Sequence, residues 1–417
     1  MKSSMIQVGV LGCGKVGSSV IKCWQDCLSL KQSYHIGKVL VHDVTKCRPV
    51  SMEGLQILDN IADIIDDPAI EIIIDTIGQE DEAFPIIRSA LLKGKSIVCC
   101  NHSLLLKYGT ILENLAKQNN VNIRFSAALG IARKIITEDN SLDNIVKAAG
   151  IFDEVSGFLL NDVEHNNYNI ENAIQKTIAQ GISVSTITKS INGDYSAGKL
   201  ALLISLITKK RVNINSIHKM KIENIDHLDF EFASLLGYSI KHVAYFENKG
   251  NYFRAYVEPV FISSNKILAS IKLYDTGIFI MRERTGENYY IERIVPEQVA
   301  YRICQDVVNI SQGIKAESLF FSEEMIEFKE EHKFQSHYYI RIKTLDNQNA
   351  ITDIMMICKE NDVLIKDMGI EKAEMPNHLD VFLMTHPTEK QNASKTIKIL
   401  QRSDLVKDVC KIRILDL

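Results

Sequence analysis

The sequence predicts an α/β protein that opens on a Rossmann-type doubly wound parallel sheet. Two observations predict it. A β-type run feeds a glycine turn and then a helical pattern within the first 25 residues. Strand-like runs then alternate with helical patterns as far as Phe125, the order that builds a parallel sheet with helices on its faces.

Met5–Leu11 is the first β-type run. It leads into Gly12-Cys13-Gly14-Lys15-Val16-Gly17 and a helical pattern marked by Val20, Ile21 and Trp24. In this G-x-G-x-x-G, Gly12 permits the tight turn, Gly14 lets the backbone approach a pyrophosphate, and Gly17 permits close helix–strand packing. Gly12, Gly14, Val16 and Gly17 are assigned to a dinucleotide on that basis. Val39-Leu40-Val41 reads as the second strand and ends in His42-Asp43. Asp43 suits the adenosine ribose hydroxyls and points to NAD, whereas Lys46 and Arg48 suit a 2′-phosphate and point to NADP. Both cofactors stay open.

Further β-type runs fall at Glu71–Ile77, Ser96–Cys100 and Val121–Phe125, separated by helical patterns at Glu82–Leu92 and Tyr108–Asn119. Ligands of such sheets bind at the carboxyl ends of the strands. Two of those ends are polar, Asp75-Thr76-Ile77-Gly78 and Cys100-Asn101-His102. Ile77, Gly78 and Asn101 are assigned to the nicotinamide end, and His102 is a candidate proton carrier.

The whole chain has 417 residues, enough for two or three domains at roughly 100–200 residues each. A formal charge of −4 gives no basic footprint for nucleic acid, and Lys209-Lys210-Arg211 suits the end of a helix. The nine cysteines are odd in number and form no disulfide or zinc framework; Cys23 and Cys27 share a helix face with no His or Cys pair close by in sequence. No metal is expected. The N-terminus runs straight into a strand pattern, and the apolar run Leu200–Ile207 is too short to cross a bilayer. A reducing cytoplasm with no membrane partner is the expected setting.

Gly193–Leu200, GDYSAGKL, has the G-x-x-x-x-G-K spacing of a P-loop. A P-loop needs a hydroxyl after the lysine to bind Mg²⁺, and Leu200 supplies none. The preceding ISVSTITKSI can pass as a strand. Ser196–Ile207 reads as a helix, so Tyr195 and Lys199 at i and i+4 share a face. Tyr-x-x-x-Lys at this spacing resembles the catalytic pair of short-chain dehydrogenases, where the tyrosine moves the proton and the lysine favours its phenolate.

The order of motifs resembles the homoserine dehydrogenase family over nearly the whole chain. The resemblance is carried by GVLGCGKVGSSV, DTIGQEDEAFPIIRSALLKGKSIVCCNHSLLLKYG, GIFDEVSGFLL, GDYSAGKLALL and EPVFISSNKILASI. The tail from Ser336, with HYYIRIKTLD and LDVFLMTHP, resembles the small regulatory ACT domain of longer members. The resemblance implies an NAD(P)-binding domain over 1–135, an α+β catalytic and dimerisation domain over 136–315, and an ACT-like ferredoxin-type domain over 336–417. It implies a homodimeric oxidoreductase with NAD or NADP and a small amino- or keto-acid-type substrate.

The family's site residues are largely replaced. His102 stands where the family has a lysine, Val184 where it has a substrate-binding glutamate, and Tyr195 where it has an aspartate. Lys199 is retained. Asp153-Glu154-Val155-Ser156-Gly157 stands for the N-G-T-T-N loop, Gly130-Ile131-Ala132-Arg133-Lys134 for the substrate loop, and Ser126 for a cation-binding glutamate. Glu292-Arg293-Ile294-Val295-Pro296 stands for a late glycine-rich loop. An ammonium group in a closed pocket needs an anionic or accepting partner, and Val184 provides none.

Two readings follow. In one, Lys199, Tyr195 and His102 are the catalytic set of an enzyme with altered chemistry. In the other, the chain is a catalytically inactive dinucleotide-binding homologue acting as a dimeric scaffold. In the tail, the loop Asp346-Asn347-Gln348-Asn349 lacks a glycine for an effector, so a role in dimer packing is expected. Glu323–Lys333 reads as a solvated linker helix.

Overall fold

The structure, a computed structural model, describes residues 5–134, 143–166, 169–273, 275–293, 295–314, 322 and 324–417. The chain divides into two compact units: Met1–Asp139 with Ala201–Val212 and Arg293–Met325, and Asn140–Leu200 with Asn213–Glu292 and Ile326–Leu417.

The first unit is built on a parallel sheet. Its strands are β1 (Ile6–Leu11), β2 (Tyr34–Leu40), β3 (Gln56–Leu58), β4 (Ile70–Asp75), β5 (Ser96–Cys99) and β6 (Ile123–Arg124), in the order β3-β2-β1-β4-β5-β6. This is the doubly wound order with its switch point between β1 and β4. β4 and β5 are near-continuous apolar runs because helices cover both faces of such a sheet. The helix Lys15–Asp26 buries Gly17, Ser18, Val20, Ile21 and Trp24, one stripe at helical spacing. That stripe shares a core with Ala300, Ile303, Val307 and Ile310 of the helix Pro296–Ser311. The sequence reading missed the short β3 and began the second strand too late. The helix expected from Tyr108 starts six residues earlier, at His102, because Asn101 caps it.

The second unit is built on one mixed sheet. Its strands are β7 (Ile145–Ile151), β8 (His218–Lys219), β9 (Tyr238–Asn248), β10 (Phe253–Ser263), β11 (Asp275–Arg282), β12 (Gly286–Arg293), β13 (Gln335–Leu345), β14 (Ile365–Lys372), β15 (His378–Thr385), β16 (Thr388–Glu389) and β17 (Val406–Leu415). The main path runs β12-β11-β7-β9-β10-β17-β13-β15-β14. From β13 onward, apart from the two-residue β16 off the main path, the order is β-α-β-β-α-β, with helices Gln348–Glu360 and Lys390–Leu400, which is the ferredoxin-type arrangement. Its last strand joins the rest of the sheet: β17 runs parallel to β10, pairing Arg413–Leu415 with Val260–Ile262.

Buried charges reinforce that junction. Glu258 of β10 is 2% exposed and accepts from Arg413 Nε at 2.8 Å and from Lys390. Burial opposes its ionisation, but Arg413 and Lys390 outweigh burial and hold the carboxyl well below the usual range. Glu331 binds Arg254 at 2.8 Å and Arg413 at 2.6 Å.

Three local expectations are corrected. Val184–Ile191 is a helix, not a strand; Ser183 caps it through Thr186 N, and Ile187 and Ile191 are buried one turn apart. Asp153–Gly157 is not a loop, since a helix starts at Glu154 and runs to Asn166. Of Glu323–Lys333, Glu323 lies outside the described residues; the remainder is largely extended, with bridges at Met325 and Phe328 and only a short 3₁₀ turn at Glu331–Lys333. Ile326 is buried and Glu331 is bound by two arginines, which a solvated helix would not allow.

Candidate functional site

The glycine turn closes on itself. Gly12 has φ +91°, a left-handed backbone that disfavours a side chain. A Cβ on Gly17 would lie 2.3 Å from the Gly12 carbonyl oxygen, so only glycine lets the helix come this close. Thr76, at the end of β4, locks the turn from the neighbouring strand. Its Oγ1 donates to the carbonyls of Leu11 and Gly12 at 2.9 and 3.0 Å. A Cβ on Gly14, by contrast, would meet nothing within 4 Å. Gly14 caps the helix Lys15–Asp26 without any side-chain hydrogen bond to its first amides. Val16 lies in the first turn of that helix. An open approach to a helix N-terminus suits a pyrophosphate, so these residues fit a dinucleotide.

Asp43 follows β2 in an exposed turn. Its Oδ1 accepts from Thr45 N at 2.8 Å and Thr45 Oγ1 at 2.6 Å. Those bonds hold its carboxyl below the ordinary value. Arg48 folds back on the same turn, donating to the carbonyls of Lys46 and Asp43, each at 2.6 Å.

The other polar strand ends are tied together. Asn101 donates through Nδ2 to the carbonyls of Ile77 and Gly78 at 3.3 Å, while its Oδ1 caps the following helix at Leu104 N. Asp75 beneath them is fully buried, accepting from Ile77 N and Cys99 Sγ. Burial pushes its carboxyl up to about 6. His102 is the half-buried first residue of the helix His102–Gln118. Ser126 donates through N and Oγ to Asp306 at 3.1 and 2.8 Å. Its side chain is thus engaged by a carboxylate. Among the described residues there is no cluster of metal-ligating side chains.

In the second unit, Tyr195 and Lys199 sit one turn apart in the helix Asp194–Thr208. Lys199 Nζ donates to the Phe152 carbonyl at 2.6 Å. Burial lowers its pKa, and the charges of Asp153 and Glu154 oppose that shift. The Phe152 ring packs over Gly150, where a Cβ would lie 2.2 Å from it. Asp153 caps Val155 N through Oδ1, and its buried Oδ2 has no hydrogen-bond partner. Asp194 is bound by Lys219 at 2.6 Å. Tyr195 has the Lys189 ammonium 5.9 Å from its ring centre. Val184, 62% exposed, brings no polar group.

His242 of β9 was not foreseen. It is 3% exposed, and its ring lies beside Gly193, where a Cβ would be 3.4 Å from Nε2. Neither ring nitrogen meets hydrogen-bond geometry. Burial pushes the imidazole down to about 4, against the fields of Asp153, the Met220 backbone and Glu258. A histidine in phase with Ile240, Ala244 and Phe246 on an apolar strand face was the available signal. Of the predicted catalytic set, His102 belongs to the first unit and Tyr195 and Lys199 to the second.

Comparison with known proteins bears on these features. The NAD-binding-domain model of homoserine dehydrogenase matches residues 12–126, and the homoserine dehydrogenase model matches 131–308. The homoserine dehydrogenase of Bacillus subtilis is 25% identical, covering 97% of this chain and 96% of its own. That of Helicobacter pylori is 25% identical and covers 98% of both. A crystal structure of a homoserine dehydrogenase from Thiobacillus denitrificans superposes with TM-score 0.84 at 22% identity, over 99% of both chains. A hyperthermophilic archaeal homoserine dehydrogenase in complex with NADPH superposes with TM-score 0.61 at 16% identity, over 74% of this chain and 98% of that one.

Proposed function

Since the chain belongs to the homoserine dehydrogenase family of NAD(P)-dependent dehydrogenases, we propose that it moves a hydride between nicotinamide and a small amino- or keto-acid-type substrate, in a site whose homoserine-binding residues are largely replaced. The closed glycine turn with its open approach at Gly14 is the observation that carries this reading. The dinucleotide supplies the hydride donor or acceptor. Gly12, Gly14, Val16 and Gly17 hold its pyrophosphate, Asp43 its adenosine ribose, and Ile77, Gly78 and Asn101 its nicotinamide end.

Lys199 is the residue that steadies charge at the substrate oxygen. Its bond to the Phe152 carbonyl fixes its direction. Tyr195, one turn earlier, gives or takes the proton of the carbonyl/alcohol pair, and His102, at the carboxyl end of β5, is a further candidate for proton handling. The chain acts as a homodimer. Met368 and Ile370, exposed on the edge strand β14, support packing through the tail.

The test is a spectrophotometric assay at 340 nm with NAD⁺ and NADP⁺ against homoserine and a panel of 2-amino and 2-hydroxy acids. Turnover of a panel member well above that of homoserine is expected. Ordinary turnover of homoserine would overturn the rewritten site. Cofactor binding with no turnover on any panel member would favour the inactive scaffold.

A further inference from the structure

Cys23 and Cys304 meet in the first unit, and Cys27 stands four residues after Cys23 in the chain. Cys23 lies in the last turn of the helix Lys15–Asp26, and Cys27 follows that helix directly. Cys304 arrives from the helix Pro296–Ser311, more than 270 residues later, which is why nothing local in the sequence pairs it with Cys23. Its thiol donates to Cys23 Sγ at 3.7 Å. Cys304 is buried, while Cys23 and Cys27 are half-buried.

We propose that Cys23 and Cys304 are a reversible disulfide site, with Cys27 as the thiol that admits a peroxide oxidant. A disulfide needs sulfurs about 2.05 Å apart, so closure asks for a movement of roughly 1.7 Å shared between two side chains and two packed helices. The Cys27 thiolate attacks a peroxide oxygen, becoming a sulfenic acid as the other oxygen leaves and takes a proton to form water. The Cys23 sulfur then attacks the Cys27 sulfur, expelling the hydroxyl as a second water. The Cys304 sulfur attacks Cys23, and Cys27 leaves as a thiol. In sum, two thiols lose two electrons and two protons, and one hydrogen peroxide is reduced to two waters.

The division of labour follows from the surroundings. Burial raises Cys23 and pushes Cys304 well up, so both lag behind Cys27 in meeting the peroxide, and each gives up its proton as it attacks the neighbouring sulfur. Cys27 is shifted the other way by hydrogen bonds from the Ser29 side chain, 3.2 Å away, and the Leu30 backbone.

The experiment treats the full-length protein with hydrogen peroxide, alkylates the remaining thiols and maps peptides by mass. A Cys23 peptide joined to a Cys304 peptide, released by dithiothreitol, is expected. Cys27→Ser should form the same bond about tenfold more slowly or worse, and Cys304→Ser should not form it. Recovery of Cys23 and Cys304 as alkylated thiols while Cys27 is oxidised would overturn the site. Formation at the unaltered rate in Cys27→Ser would overturn the entry role of Cys27.

Discussion

The ammonium of Lys199 is anchored on the backbone carbonyl of Phe152, 2.6 Å away, at the point where β7 ends and the helix Glu154–Asn166 begins. This bond ties the helix that carries Tyr195 to the loop that carries Asp153. It gives Lys199 a fixed direction that an arginine, with its larger planar head, would not reproduce.

Replacing Lys199 by methionine should therefore lower kcat by about 10²–10⁴ while altering KM less, since proton handling and charge stabilisation contribute on that scale. Tyr195→Phe should fall in the same range. Steady-state rates on the true substrate check both. A Tyr195→Phe protein with full activity would remove Tyr195 from the proton transfer.

Asp43 presents a carboxylate held by Thr45, and Arg48 is spent on the carbonyls of Asp43 and Lys46. The turn thus offers an acceptor for ribose hydroxyls, while two of the Arg48 nitrogens are turned onto the turn's own backbone. NADH should bind about tenfold or more tightly than NADPH, a difference of about 1.4 kcal/mol. Asp43→Ser should narrow that gap. Paired fluorescence titrations measure it, and tighter binding of NADPH by the unaltered protein would contradict this reading of the turn.

Two buried groups act oppositely on stability in acid. Asp75 is raised to about 6, so its penalty is absent below pH 4 and grows as pH rises to 6. His242 is depressed to about 4, so the stability it allows is full above pH 6.5 and is lost as pH falls toward 4. His242→Leu should remove the second effect, raising stability at pH 5 by about 2 kcal/mol relative to its effect at pH 7.5. Asp75→Asn should flatten the first. Thermal unfolding between pH 4 and 7.5 checks both slopes.

Glu258 is the negative centre between β10 and β17, within hydrogen-bonding distance of Arg413 and Lys390. Removing its charge leaves two buried cations short of a partner. Glu258→Gln should destabilise the second unit by about 3–5 kcal/mol. Truncation after Phe334 should fail to give a soluble fold, because β10 would lose β17 from one side and Glu258 would lose Arg413 and Lys390. Urea denaturation and soluble yield are the readouts.

The parts legible in the sequence were those with a local period or a local motif. The strand, glycine turn and helix from Ile6 to Asp26 could be read because each residue's task there is set by its immediate neighbours. Val184–Ile191 misled because a short β-branched run fits either period, and only the Ser183 cap distinguishes them. Thr76 over Gly12, Asp306 under Ser126 and Glu331 between two arginines are contacts across 64 to 180 residues or between distant strands. Such contacts leave no periodic trace. The Lys199 anchor was hidden for another reason: its partner is a main-chain carbonyl, which any residue at 152 would supply.

The central claim is that a working dinucleotide site persists in a chain whose substrate-site residues are rewritten. Fluorescence titration of the purified protein with NADH tests it most directly, with Gly17→Ala as the control. Saturable binding by the unaltered protein and its loss in Gly17→Ala, whose Cβ would press on the Gly12 carbonyl, is the predicted result. Absence of binding by both NADH and NADPH in the unaltered protein would contradict the account.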